Sequence, residues 1–194
     1  MVVNVSLPFL YAHYFYFIKE NIIKNNIIKS LNFDWFDKPN EFRHNDIKRF
    51  DNKINYLEDI FYHIFSISSI FCGKGNFIFT KKVLKHENFQ TMKSLLNKKL
   101  VTVNCSRNWS RRVRKLEINL VNKKKISINF SKNVIIKSMG KKIASFSEIK
   151  NKTLKYQLFN FLKLNNYKEK NNPNDLRELS KLFVSLKFLK KKLN

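Results

Sequence analysis

"SLLNKKLVTVNCSR", residues 94–107, passes from a basic stretch with apolar spacing into the alternation Leu100-Val101-Thr102-Val103-Asn104. Upstream, Val83, Leu84, Met92, Leu95 and Leu96 supply the inner side of a helix over roughly 81–97. Leu100, Val101 and Val103 then carry the period-two pattern of a strand. The stretch therefore reads as a helix end, a turn at Asn97-Lys98-Lys99, and a strand. Its charge raises a second question, because a helix-to-strand turn and a phosphate-holding surface use the same letters. With "SRNWSRRVRK" just downstream, Lys93, Lys98, Lys99, Arg107, Arg111, Arg112, Arg114 and Lys115 gather on or beside one connection, with Asn97 at its turn. Arginine offers a planar fork of donors and lysine a mobile point charge, so such a set suits phosphates. Trp109 either stacks on an exposed base or covers the rim of a small sheet.

Composition agrees with an anionic partner. The 194 residues carry a formal charge of +25, far beyond what solubility requires, and 43% hydrophobic content is enough to fill a core. Residues 1–64 hold eight basic and eight acidic side chains, so the whole excess lies in residues 65–194, with 31 basic and six acidic. There the lysines alternate with Leu, Ile, Val and Phe at structured spacings, which favours nucleic acid over a solvated tail. Lys, Asn, Ile and Phe make up about half of the chain, against three Gly and three Pro. That bias follows A- and T-rich codons and suggests an organellar genome. Cys72 and Cys105 lie far apart, with no Cys-x-x-Cys and no paired His, which argues against a disulfide framework or a zinc site.

The apolar run Leu7–Ile18 is about a dozen residues, short of the ~20 that span a bilayer. It also lacks the features of a secretory signal or transit peptide. Phe15, Ile18, Ile22, Ile23, Ile27, Ile28 and Leu31 step at three and four, predicting a helix whose greasy face packs either on this chain's own core or on a neighbouring protein. "NFDWFDKPNEF" reads as a loop with Trp35 and Phe36 as core plugs. "YLEDIFYHIFSISSI", residues 56–70, is a second amphipathic helix with Glu58 and Asp59 in its first turn. Gly73 and Gly75 mark a turn before a short extended piece, without the spacing of a nucleotide loop. "DLRELSKLFVSLKFLKKKLN" forms a terminal basic helix whose apolar face, from Leu176 to Leu189, is also what a lipid-surface helix would present.

Four segments in order resemble the small RNA-binding domain of the ribosomal protein S-four family. "LEDIFYHI" is similar to its first helix, "LLNKKLVTVN" to the end of its second helix and its first strand, and "VNKKKISI", Val121–Ile128, to its last turn and strand. "EIKNKTLK", Glu148–Lys155, resembles the continuation found in mitochondrial and plastid versions. The match spans roughly Tyr56–Lys155, about half of the chain.

Periodicity at the two ends and the resemblance between them together predict an α+β protein: an N-terminal helical docking region over 1–55, with no counterpart in the family, an S-four-like helix-helix-sheet domain over 56–130 with an insertion near 71–90, a family-like continuation over 131–162, and a basic linker and helix over 163–194. The resemblance implies a structural constituent of the small mitochondrial ribosomal subunit, organelle-encoded, that binds small-subunit rRNA and neighbouring ribosomal proteins without a cofactor or metal. The RNA-binding set would be Lys93, Asn97, Lys98, Lys99, Arg107, Trp109, Arg111, Arg112, Arg114 and Lys115. An RNA-binding assembly factor and a basic membrane-surface protein are the alternatives. The scattered His13, His44, His63 and His86 and the lack of a nucleophile motif point away from an enzyme.

Overall fold

A computed structural model of the chain describes residues 7–40, 42–43, 46–47, 54–80, 83–86, 89–146 and 176–193. The first strand, β1, spans Ile28–Phe36. β2 (Phe42–Arg43) and β3 (Asp46–Ile47) form a separate small hairpin. Then follow β4 (Phe77–Phe79), β5 (Leu84–His86), β6 (Phe89–Leu96), β7 (Lys99–Ser106), β8 (Val113–Leu120), β9 (Lys125–Asn129), β10 (Val134–Ser138) and β11 (Lys141–Phe146). Nine of these strands make one sheet in the order β11-β10-β9-β8-β1-β7-β6-β4, with β5 pairing to β6 beside that path. Every pairing is antiparallel except that of β1 with β7. Strands of this one sheet lie on both sides of the boundaries expected after residues 55 and 130.

The helix expected over Phe15–Leu31 is replaced by three pieces. A turn at Pro8–Tyr11 and helix α1 (His13–Phe17) run into a single π turn, Ile18–Ile23, which ends at Lys24 with φ 48°. The chain then enters β1, where Leu31, Phe33 and Trp35 are buried on one face while Asn32 and Asp34 between them are half-buried. The period of two takes over at Leu31, inside the region read as helix and loop. Ile22, Ile23, Ile27 and Ile28 satisfy a 3.6 period equally well, so periodicity alone does not separate the two. The aromatic N-terminal segment packs on this chain's own core: Phe15 and Ile18 are fully buried, and Phe9 meets Trp35, His63 and Phe130 edge-on at ring distances of 5.9, 5.0 and 5.8 Å.

Helix α2, Tyr56–Cys72, forms where expected. The Asn55 side chain accepts the Leu57 amide at 2.9 Å, and Glu58 and Asp59 lie in the first turn. Gly73, at φ 82°, ends it in a conformation that suits glycine. Its apolar residues cover one face of the sheet together with α1 and the C-terminal helix α3, Leu176–Leu193. Leu182, Leu189 and Leu193 of α3 are buried against α2 and β4, and Ser185 accepts the Phe77 amide at 3.2 Å. These leucines of the apolar face are thus spent inside the protein, while Phe183, Val184 and Phe188 of the same helix stay exposed. No helix among the described residues is long and apolar enough to cross a membrane.

The largest departure from expectation is in residues 89–99. Residues 89–96 form strand β6, and the expected third helix is absent from them. Strands β6 and β7 make a hairpin with Leu96 opposite Lys99, joined by Asn97 and Lys98 at φ 49° and 64°. Two positive φ values at the centre of a two-residue loop are the turn that matches the right-handed twist of a hairpin. In a strand neighbouring side chains point to opposite faces, so Leu96 is buried while Leu95 is half-buried on the other side. The S-four-like helix-helix-sheet domain therefore does not form: its second helix is a strand, and the strand matched to its first strand pairs in parallel with β1 from outside the matched region. The segment Glu148–Lys155 lies outside the described residues.

Cys72 and Cys105 are free and buried, and burial raises their thiols to about 11 and about 12. A raised acid stays protonated in the fold but ionises in the unfolded chain, so its contribution is complete below the ordinary value of 9 and is lost as pH climbs through the folded values. Burial shifts Tyr14 and Tyr56 in the same direction. The urea midpoint is expected to hold steady to about pH 9 and then decline, and the double variant Cys72→Ala/Cys105→Ala should decline later and less steeply.

Candidate functional site

β1 and β7 are the only parallel neighbours of the described sheet; open parallel α/β sheets bind ligands outside the carboxyl ends of their strands, and the same end of this one pair carries a group of polar and aromatic side chains. At that end Phe36 is opposite Ser106, and the chain continues into Asp37 and Arg107. The Asp37 amide donates to the Ser106 carbonyl at 2.8 Å, and the Trp109 amide donates to the Asp37 carbonyl at 3.0 Å, which fixes the β7–β8 connection over the strand ends.

Beneath this connection lies a buried polar cluster. Asp37 is 2% exposed and Arg114 4%. The Arg114 guanidinium forms an ion pair with the Asp37 carboxylate through Nη2 and donates through Nη1 to the carbonyls of Phe36 and Val113 at 2.7 and 2.8 Å. Its Cζ lies over the Trp35 ring, 4.3 Å from the ring centre. The Tyr56 hydroxyl donates to the other Asp37 oxygen at 2.7 Å. Burial pushes the Tyr56 hydroxyl far above the usual phenol range, with Arg114 opposing and Asp37 adding, so it stays a donor. Burial also lowers the Arg114 pKa, against Asp37 and Tyr56, which favour its charge. A buried carboxylate with a guanidinium on one oxygen and a phenol on the other is a positioning device, closed off from solvent by the chain around it.

Around it, Arg107 pairs with Asp59 at 3.2 Å, donates to the Ile54 carbonyl at 3.2 Å and lies over the Tyr56 ring at 4.9 Å. His63 stacks on Trp35 at 5.2 Å. Trp109 stacks on Phe36 at 4.7 Å and is 40% exposed; Arg111 beside it is exposed and Arg112 half-buried. The outer layer of this end is therefore an indole with one covered face, bordered by arginines.

Eight of the ten residues read as one phosphate-holding set are divided between the two ends of β7, about 25 Å apart for an eight-residue strand. Arg107, Trp109, Arg111, Arg112 and Arg114 share the end just described, with Arg114 buried beneath it. Asn97, Lys98 and Lys99 lie at the other end, where Asn97 donates to the carbonyls of Cys72 and Lys74 at 3.0 and 3.2 Å and Lys99 reaches the Cys72 carbonyl at 3.5 Å. Asn97 thus caps the end of α2. A Cβ at Gly75 would come within 2.5 Å of its side-chain oxygen, which explains the glycine there. Lys93 is exposed on β6, and Lys115 shares Glu117 with Lys125, at 2.7 and 2.6 Å. Sequence reasoning passes over Asp37 and Tyr56, whose partners are 77 and 19 residues away.

No protein-family model matches the sequence, and no curated protein matches it. Solved structures do match. A dehydrogenase (MviM) from Clostridium difficile superposes with a TM-score of 0.69 at 16% identity, over 97% of this chain and 60% of its own. UDP-N-acetylglucosamine 3-dehydrogenase GnnA from Acidithiobacillus ferrooxidans gives 0.60 at 11% identity, over 93% and 58%. A super-repressor mutant of Gal80p from Saccharomyces cerevisiae gives 0.61 at 13%, over 98% and 62%. The chain thus shares the fold of a large part of these structures and spans about 60% of their length. This overturns the S-four resemblance, and with it the ribosomal role, the small-subunit rRNA and the neighbouring ribosomal proteins that it implied. The neighbours are mostly dehydrogenases. A doubly wound dinucleotide-binding sheet has several parallel strands linked by helices and a glycine-rich first turn, a pattern not found among the described residues. Here one pair of strands is parallel, and the sequence has three glycines, none in a G-x-G-x-x-G pattern.

Proposed function

We propose that this chain is the ligand-holding sheet unit of an oxidoreductase-like architecture. It binds a polar anionic small molecule of the sugar-phosphate or nucleotide-sugar kind at the carboxyl ends of β1 and β7, and any redox chemistry depends on a dinucleotide-binding part outside these residues. The observation that carries this reading is the match of nearly the whole chain to about 60% of dehydrogenase structures, joined to an arginine-bordered indole at the parallel strand ends. The open face of Trp109 suits the apolar face of a sugar ring, and Arg111 and Arg112 suit a phosphate. UDP-N-acetylglucosamine, after which one of the neighbouring dehydrogenases is named, is the natural first probe. A mitochondrial location remains part of the proposal on composition alone.

Calorimetric titration with that probe is expected to show binding, with quenching of Trp109 fluorescence, while NADH gives no heat with this chain by itself. Arg111→Ala with Arg112→Ala should weaken the probe by roughly tenfold or more, since each hydrogen bond to a charged group contributes about 1.5–3 kcal/mol. Absence of binding by the intact chain, or binding untouched by the double variant, would sink the assignment. A regulatory module without chemistry is the second reading, favoured by the way Asp37, Tyr56 and Arg114 spend their polar atoms on one another.

A further inference from the structure

The amino end of the β1–β7 pair is built very differently from the site above. The strand registers bring five connections to this one end: residues 24–29, 73–76, 97–99, 121–125 and 139–142. They hold ten lysines, with no aspartate, glutamate, arginine or aromatic residue. Nine of those lysines are exposed, and Lys99 is half-buried. All five non-glycine residues of positive φ among the described residues, namely Lys24, Asn97, Lys98, Lys123 and Met139, lie here, so the connections are tight turns held in shape by the sheet. The acids on the bordering elements are Glu20, and Glu117, which is already bound to Lys115 and Lys125.

Three aliphatic side chains project among the lysines: Ile27 is 67% exposed, Val121 60% and Met139 65%. Ile27 and Val121 are tied together by the Val121 amide donating to the Ile27 carbonyl at 2.9 Å, and Met139 is tied to Lys125 in the same way at 2.9 Å. These backbone bonds fix the turns from which the exposed tips project, and the Met139 sulfur also accepts the Lys125 amide at 3.4 Å.

We propose that this rim docks on an anionic lipid bilayer, with Ile27, Val121 and Met139 entering the headgroup region and the lysines lying over lipid phosphates and carboxylates. Three features choose this occupant. Lysine without arginine suits diffuse surface charge better than the fork geometry of a defined phosphate. Single-stranded nucleic acid is held by aromatic stacking, which the rim lacks. Protein interfaces are depleted in lysine and anchored by Tyr, Trp and Arg. The rim is distinct from α3, whose Leu182, Leu189 and Leu193 are packed inside the protein while Phe183 and Phe188 stay exposed, and the lysine variants of the two surfaces separate them.

The test is co-sedimentation of the full chain with phosphatidylcholine vesicles, plain or carrying one-third phosphatidylserine. Binding is expected only to the anionic vesicles. Lys123→Ala with Lys124→Ala should lower partitioning about 25-fold, at about fivefold per lysine. Ile27→Ser and Val121→Ser leave the charge unchanged and should each lower it severalfold. Circular dichroism of each variant should match that of the parent, since the changes are exposed. Equal binding to neutral vesicles, anionic binding indifferent to the rim variants, or loss instead on replacing Lys187 and Lys191 of α3 would overturn the proposal. So would a polyuridylate complex that depends on the lysines and ignores Ile27→Ser, in which case the rim serves a nucleic acid.

Discussion

Asp37→Ala is expected to destabilise the protein by about 3–5 kcal/mol, the cost typical of removing one partner from a buried ion pair. The variant leaves the Arg114 guanidinium, 4% exposed, facing an emptied position, and the Tyr56 hydroxyl loses its acceptor. Urea unfolding followed by tryptophan fluorescence should show a lower midpoint with an unchanged slope, because the surface exposed on unfolding does not change. Tyr56→Phe removes one hydrogen bond to a charged group and should cost less, about 1.5–3 kcal/mol. Asp37→Leu combined with Arg114→Met removes both charges and should recover much of the loss, giving a favourable coupling between the two sites. An additive double variant would mean that the two side chains do not meet. Since the pair is shielded from solvent, the coupling should persist at high salt.

The parts of the fold legible in the sequence are those whose signals are local. Helix α2 announces itself by its 3.6 period, the acids of its first turn and the glycine after it, and α3 by its leucine stripe. Trp35, read as a core plug, is 3% exposed. What the sequence conceals depends on long-range pairing. Strand β6 carries Leu95 and Leu96 side by side, which satisfies a helix template, and its inward positions include Ser94, which is buried. The hairpin turn is Asn-Lys where Asn-Gly is the strong signal, so nothing in the letter of Lys98 points to a positive φ. The candidate site suffers equally. Arg114 stands in a basic run and so resembles an exposed phosphate ligand, yet the strand alternation that buries Leu116 and Ile118 also turns Arg114 inward, where Asp37 meets it. The lysine rim is invisible along the chain, since its five segments become neighbours only through the sheet register.

Phe33→Ala should have an effect of similar size, about 3–5 kcal/mol, and it discriminates between the two architectures. Phe33 is fully buried on the central strand, with Val103 of β7 beside it on one flank and Leu116 of β8 on the other, both also fully buried. Truncation there opens a cavity that three adjacent strands cannot close without breaking their ladders, so the loss combines the transfer of the ring from solvent with the unfilled volume. Read from the sequence as part of a loop between two helices, the same residue would tolerate alanine within about 0.5 kcal/mol. Leu96→Ala against Leu95→Ala makes the matching test on β6: as neighbours on one helix face they would cost alike, whereas on a strand Leu96 should cost about 2–5 kcal/mol and Leu95, half-buried on the opposite face, distinctly less. A shift in the urea midpoint for Phe33→Ala no larger than that for an exposed control such as Ile78→Ala would remove β1 from the core, and with it the parallel strand ends on which the proposed ligand site is built.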